Sequence, residues 1–134
     1  MPTPPARRFF SDGKHIWYVE TLWSAAASLP EFELPVDQIT GLDEVAWFND
    51  AWGKRPTCRA VIDHCRRINE ADLRHPIILG PAEAPLNGCV LDGMHRIGKA
   101  MLAGQTSVRA VQLLAMPTPD ERVASAYPGV AQTP

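Results

Sequence analysis

Val90-Leu91-Asp92-Gly93-Met94-His95-Arg96, continued by Ile97-Gly98-Lys99-Ala100-Met101-Leu102-Ala103-Gly104, decides how this chain is read. Its first residues have the composition of a buried strand. Gly93 permits a sharp turn, and the residues after it carry a helical pattern that closes at Gly104, a left-handed C-cap. A strand that turns at glycine into a helix leaves the first N–H groups of that helix without intrahelical partners, at the positive end of its dipole. His95 and Arg96 fall in that first turn. The stretch therefore predicts an anion site of the kind that holds phosphate.

The neighbouring segments supply a sheet. Pro76-Ile77-Ile78-Leu79 reads as a short buried strand, and Ser107 to Leu114 as the last one. Gly80 to Gly88 is a connecting loop with two prolines and Asn87-Gly88. Upstream, His15-Ile16-Trp17-Tyr18-Val19 has strand composition. Leu22, Trp23, Ala26 and Leu29 recur with a helical period before Pro30. Phe32 to Ile39 reads as an extended piece leading into one helical turn. Asp43 is placed to cap a helix bearing Val45, Phe48 and Trp52 on one face. Thr57 is placed to cap another, with Val61, Cys65 and Ile68 as its apolar stripe and Asp63, Arg66 and Arg67 facing water. Helices cluster early and strands late. The expected fold class is α+β, a small mixed sheet with helices packed against it. Residues 1–13 read as a flexible Pro-rich arm, with docking of Phe9 and Phe10 as the alternative for that part of it, 14–115 as the domain and 116–134 as a flexible tail.

The chain has 134 residues, which suits a single core, with 46% hydrophobic and 21% charged residues. The formal net charge of −2 argues against an overall electrostatic grip on DNA. No apolar run has membrane-spanning length, and the basic N-terminus lacks the apolar stretch of a secretory signal. Three cysteines without framework spacing point to a reducing cytoplasm.

In order along the chain, Leu34-Pro35-Val36-Asp37-Gln38-Ile39, His75-Pro76-Ile77-Ile78-Leu79, Leu91-Asp92-Gly93-Met94-His95-Arg96, Ala103-Gly104 and Val108-Arg109-Ala110-Val111-Gln112-Leu113 resemble the signature segments of the ParB/sulfiredoxin superfamily. The resemblance runs from about Leu34 to Leu113. It implies a nucleotide, ATP, ADP or CTP, with its phosphates at the glycine turn and with Mg²⁺ as an accompanying ion. Sulfiredoxins carry a catalytic cysteine in this turn. Met94 stands there in this chain, and a thioether forms no thiolate, so that reductase chemistry is excluded. Partition-type ParB proteins continue into DNA-binding domains, for which residues 115–134 are too few. The turn is most similar to that of the free serine kinases, which implies phosphate transfer to a small hydroxyl substrate.

Within that resemblance Gly93, Met94, His95, Arg96 and Lys99 are the candidate nucleotide-binding residues, and Asp92 and His95 the candidate catalytic ones. His95 would stabilise moving charge and Arg96 would grip phosphate, or else form a salt bridge with Asp92. Asp92 has three readings: helix cap, Mg²⁺ ligand, or base toward a hydroxyl. Lys99 either extends the basic patch or is a solvated lysine. Lys54, Arg55 and Thr57 form a second candidate anion contact, and Glu20, Asp43 and Glu44 are candidate acid–base partners that also read as surface carboxylates. Trp17, Trp23, Trp47 and Trp52 read as core or interface residues, with base stacking as the alternative. His64 and Cys65 are adjacent on a helix and diverge, so no metal site is expected. Two function classes follow. One is a small phosphotransferase or nucleotide hydrolase. The other is a non-enzymatic ParB-like adaptor or switch that binds nucleotide, a protein partner or DNA.

Overall fold

The computed structural model describes residues 7–48 and 55–123. Its elements run β1 (Phe9–Ser11), β2 (His15–Tyr18), α1 (Val19–Ala26), β3 (Phe32–Pro35), a 3-10 turn (Val36–Gln38), α2 (Cys58–Glu70), β4 (Ile77–Leu79), β5 (Val90–Asp92), α3 (Met94–Leu102), β6 (Ser107–Gln112) and β7 (Glu121–Arg122). They form an α+β fold with a four-stranded sheet in the order β3-β6-β4-β5 and a three-stranded sheet in the order β1-β2-β7. In the larger sheet β4 runs parallel to β6, and the other pairs are antiparallel. Among the described residues, no helix is long and apolar enough to cross a membrane.

Alternation along the strands explains why this sheet is buried on both faces. Ile77, Leu79 and Val90 point to one face, where they pack with Val108, Ala110 and the α3 residues Ile97 and Ala100. Ile78 and Leu91 point to the other, where they meet Val111, Leu113, Leu22 and Ala26 of α1, and Phe10 and Trp17 of the small sheet. The motif-bearing strand β5 is fully buried between these layers.

Strand pairing among the described residues extends beyond 14–115 on both sides. Phe9–Ser11, read from sequence as part of the arm, pairs with β2, and Glu121–Arg122, read as part of the tail, pairs with its other edge. Phe10 carries this, being 3% exposed and packed on Trp17 at 6.0 Å between ring centroids. The downstream segment is held by polar contacts: Trp17 donates to the Pro117 carbonyl (2.7 Å), while Asp120 accepts from the Tyr18 amide (2.9 Å) and the Thr21 hydroxyl (3.0 Å). Asp120 thereby supplies the start of α1 with a polar contact that no local cap side chain makes.

Two helix expectations change. Residues 41–44 form a turn, closed by the Glu44 amide on the Gly41 carbonyl, in place of a helix capped by Asp43. Gly41 takes a left-handed φ of +95°, and the chain then runs irregularly so that Trp47 reaches two histidine rings. Trp52 and Lys54 lie outside the described residues. Helix α2 does begin at its Thr57 cap, whose hydroxyl oxygen accepts from the Ala60 amide (3.2 Å). Its inward face, however, is Ala60, Asp63, His64, Arg67 and Ile68, all half-buried, while Val61 and Cys65 are exposed. The helix is rotated from the expected stripe because His64 and Ile68 find partners on α3. Ile68 packs where Gly98 has no side chain, with its Cδ1 3.4 Å from the position a Cβ would occupy.

Candidate functional site

The turn between β5 and α3 has the predicted form. Gly93 is the N-cap, with φ +116°, and a Cβ there would lie 2.6 Å from Ile77 Cγ2. Glycine is therefore demanded twice, by a left-handed backbone and by close approach to β4. The first intrahelical bond runs from the Ile97 amide to the Gly93 carbonyl (3.0 Å), so the amides of Met94, His95 and Arg96 have no acceptor within the helix.

Beneath the turn lies Asp92, fully buried. It does not cap α3. One of its oxygens accepts from Arg8 Nη2 (2.7 Å); the other accepts from Trp23 Nε1 (2.9 Å) and Arg96 Nη2 (2.6 Å). The charge is thus paired by two guanidinium groups and an indole from three separate parts of the chain. Such a carboxylate is a positioning group. With both oxygens engaged, it is ill suited to take a proton from substrate or to hold Mg²⁺.

Arg96 is spent on structure as well. Its Nη1 donates to the Pro76 carbonyl (2.8 Å), and its side chain is only 12% exposed. The salt bridge with Asp92 is the reading the geometry selects. Lys99 neither extends a basic patch nor reaches solvent freely: its Nζ donates to the carbonyls of Asn69 and Ala71, both at 2.8 Å, and so closes the C-terminal end of α2.

His95 is buried, and its Nε2 lies 2.8 Å from His64 Nδ1. Trp47 stacks on both rings, at 4.6 Å and 7° to His95 and at 4.7 Å and 13° to His64. Phe48 meets His64 edge-on. Burial drives the His95 pKa down to about 4, and the positive surroundings of His64, Arg67 and Arg8 push the same way against a weaker pull from Asp63. His95 is therefore neutral at pH 7, with one ring of the pair donating to the other. The Nε1 of Trp47 is buried without a hydrogen-bond partner among the described residues.

A cavity of about 860 Å³ opens at this turn. Gly93, His95 and Arg96 line it from α3, Arg8 from the N-terminal side, Trp23 and Ala26 from α1, and Arg66 and Arg67 from α2. Arg8, Arg66 and Arg67 are the exposed or partly exposed cations here, 43%, 55% and 33% in their side chains; Arg66 is paired with both Asp63 and Glu70, and Glu31, Glu70 and Asp72 share the lining. Arg8 makes one bond to Asp92 and Arg67 one to Asp63 (3.0 Å), which leaves further N–H groups on each guanidinium. The side chain of Met94 instead lines a separate apolar cavity of about 770 Å³ with Leu42, Trp47, Phe48, Ile97 and Met101. Only its amide belongs to the turn.

The remaining candidates lie elsewhere. Glu20 is exposed at the start of α1, 3.8 Å from Arg7. Asp43 and Glu44 are exposed in the 41–44 turn. Thr57 uses its oxygen as a cap, and Arg55 beside it is exposed. Arg8, Trp23, His64, Arg67 and Trp47 had no motif to announce them. Only the Ala60, His64, Arg67, Ile68 spacing, which follows one helical face, carried a signal. No protein-family model matches the chain, and neither a curated protein nor a solved structure matches it.

Proposed function

We propose that the chain is a nucleotide-binding ParB/sulfiredoxin-like domain that works as a small phosphotransferase or nucleotide hydrolase. The observation that carries the reading is the convergence, in one cavity, of the α3 N-terminus with the Arg8 and Arg67 guanidinium groups. Amides at a helix start and forked guanidinium donors are complementary to phosphate oxygens. The roles differ from those in the sequence reading. The amides of Met94 to Arg96 and the two partly exposed arginines meet the phosphates. Asp92 and Arg96 hold the turn, and Lys99 holds α2. His95, neutral and bonded to His64, exchanges a proton or hydrogen bond with the terminal phosphate or with a small hydroxyl acceptor. Any Mg²⁺ would be held by the phosphates of the nucleotide, because both oxygens of the buried Asp92 already accept hydrogen bonds. Free thiols at Cys58, Cys65 and Cys89 fit a cytoplasmic setting.

That same engagement of both Asp92 oxygens favours a second reading: a nucleotide-binding adaptor or switch without turnover. Calorimetric titration with ADP, ATP and CTP, with and without Mg²⁺, tests the binding that both readings share. Binding is expected in the wild type and about tenfold weaker in Arg67→Ala, the loss of one charge-assisted contact. A wild type that binds none of them overturns the proposal. Chromatography of the nucleotide after hours of incubation separates the readings: product indicates the enzyme, unchanged nucleotide the switch.

A further inference from the structure

Trp17 and Trp23 make opposite use of the same side chain. Trp17 is 4% exposed in the core and gives its N–H to a backbone carbonyl. Trp23 is 46% exposed, an unusual amount for an indole whose N–H is bonded to a buried carboxylate. Core packing accounts for the first and leaves the second unexplained.

The ring of Trp23 borders the 860 Å³ cavity, and its bond to Asp92 ties it to the carboxylate that also carries Arg8 and Arg96. An aromatic platform and the cationic end of the cavity are thus held by one residue. Ala26, Ile78 and Val111 add apolar surface to the same cavity. A ligand complementary to this lining carries both a flat ring and concentrated negative charge. A nucleoside diphosphate has that form. Simple phosphate or pyrophosphate would fill only the cationic end.

We propose that Trp23 is the stacking platform for the base of the bound nucleotide, whose phosphates point to the start of α3. The inference rests on the phosphate reading given above and adds the residue that recognises the base. Stacking needs only a π face, so the platform accepts different bases and contributes affinity more than selectivity.

The test compares ADP with pyrophosphate in the full chain carrying Trp23→Leu or Trp23→Phe. Trp23→Leu removes the π face and is expected to weaken ADP about tenfold while leaving pyrophosphate within about twofold. Trp23→Phe loses the bond to Asp92 but keeps a ring, and is expected to hold ADP within about threefold. Fluorescence gives a second readout in that mild variant: ADP quenches indole emission in the wild type and fails to do so in Trp23→Phe. Equal weakening of ADP and pyrophosphate in Trp23→Leu overturns the proposal, since Trp23 would then act only through Asp92. Unchanged ADP affinity in Trp23→Leu overturns it too. A wild type that binds neither ligand overturns the phosphate reading itself, a different result from either.

Discussion

The four-stranded and three-stranded sheets are both made of short strands, yet they differ in how they are buried. In the larger sheet β4 and β5 are buried at every position, covered by α3 on one face and by α1 with the small sheet on the other. In the smaller sheet β7 is exposed, and burial concentrates in Phe10, Ser11 and Trp17. The larger sheet displays the Gly93 turn. The smaller one covers its back and, through the chain just before β1, brings Arg8 to Asp92. A turn on the fully buried strand β5 is thus completed by a residue delivered from the more exposed sheet. The segment that carries Arg8 is part of the site's support rather than an appendage to it.

The comparison is sharpest in the core. Phe10→Ala is expected to destabilise the protein by about 4 kcal/mol, within the range of a deeply buried aromatic and on a par with Leu91→Ala in the larger sheet. Urea unfolding of both variants measures this. A loss below about 1 kcal/mol for Phe10→Ala would show that β1 is a loose arm.

The next effect is on the junction between the two regions. Asp92→Asn leaves two guanidinium groups facing a neutral amide and is expected to lower stability by about 3 kcal/mol. It should also release the segment before β1, seen as faster amide hydrogen exchange at Phe9 to Ser11 than in the wild type. Unchanged exchange there would mean that Arg8 does not tie the small sheet to the turn.

The smallest effect concerns the histidine pair. His95 titrates at about 4 in the folded protein against an ordinary 6.5. Between these values the unfolded state takes up the proton and the folded state does not, so stability falls as pH drops from about 6.5 to about 4 and levels off below. Wild type is expected to lose about 2 kcal/mol more than His95→Gln across that window. Thermal unfolding at stepped pH measures the difference, and parallel curves for the two proteins would show that His95 does not contribute this sensitivity.

Where a residue's neighbours in sequence are its neighbours in space, the reading from sequence succeeded. Gly93 at the strand-to-helix turn, Thr57 as a cap, the close of α3 near Gly104 and the buried β4 all follow from local sterics and side-chain period. The helix from Asp43 failed because stacking of Trp47 on His64 and His95 outweighed a weak local pattern. The stripe of α2 failed because α3 chose which face turned inward.

The residues from Asp92 to Arg96 carried, by themselves, the information for a turn with unpaired amides, since glycine's backbone freedom and the helix start act within a few residues. They did not carry the fate of the side chains there. Arg96 and Asp92 face each other one helical turn apart, but Arg8 is 84 positions from Asp92 and Trp23 is 69. Contacts at that separation exist only once the sheets have stacked, because no local preference of the chain encodes them. The tertiary structure alone decided which cations hold the turn together and which remain open to a ligand.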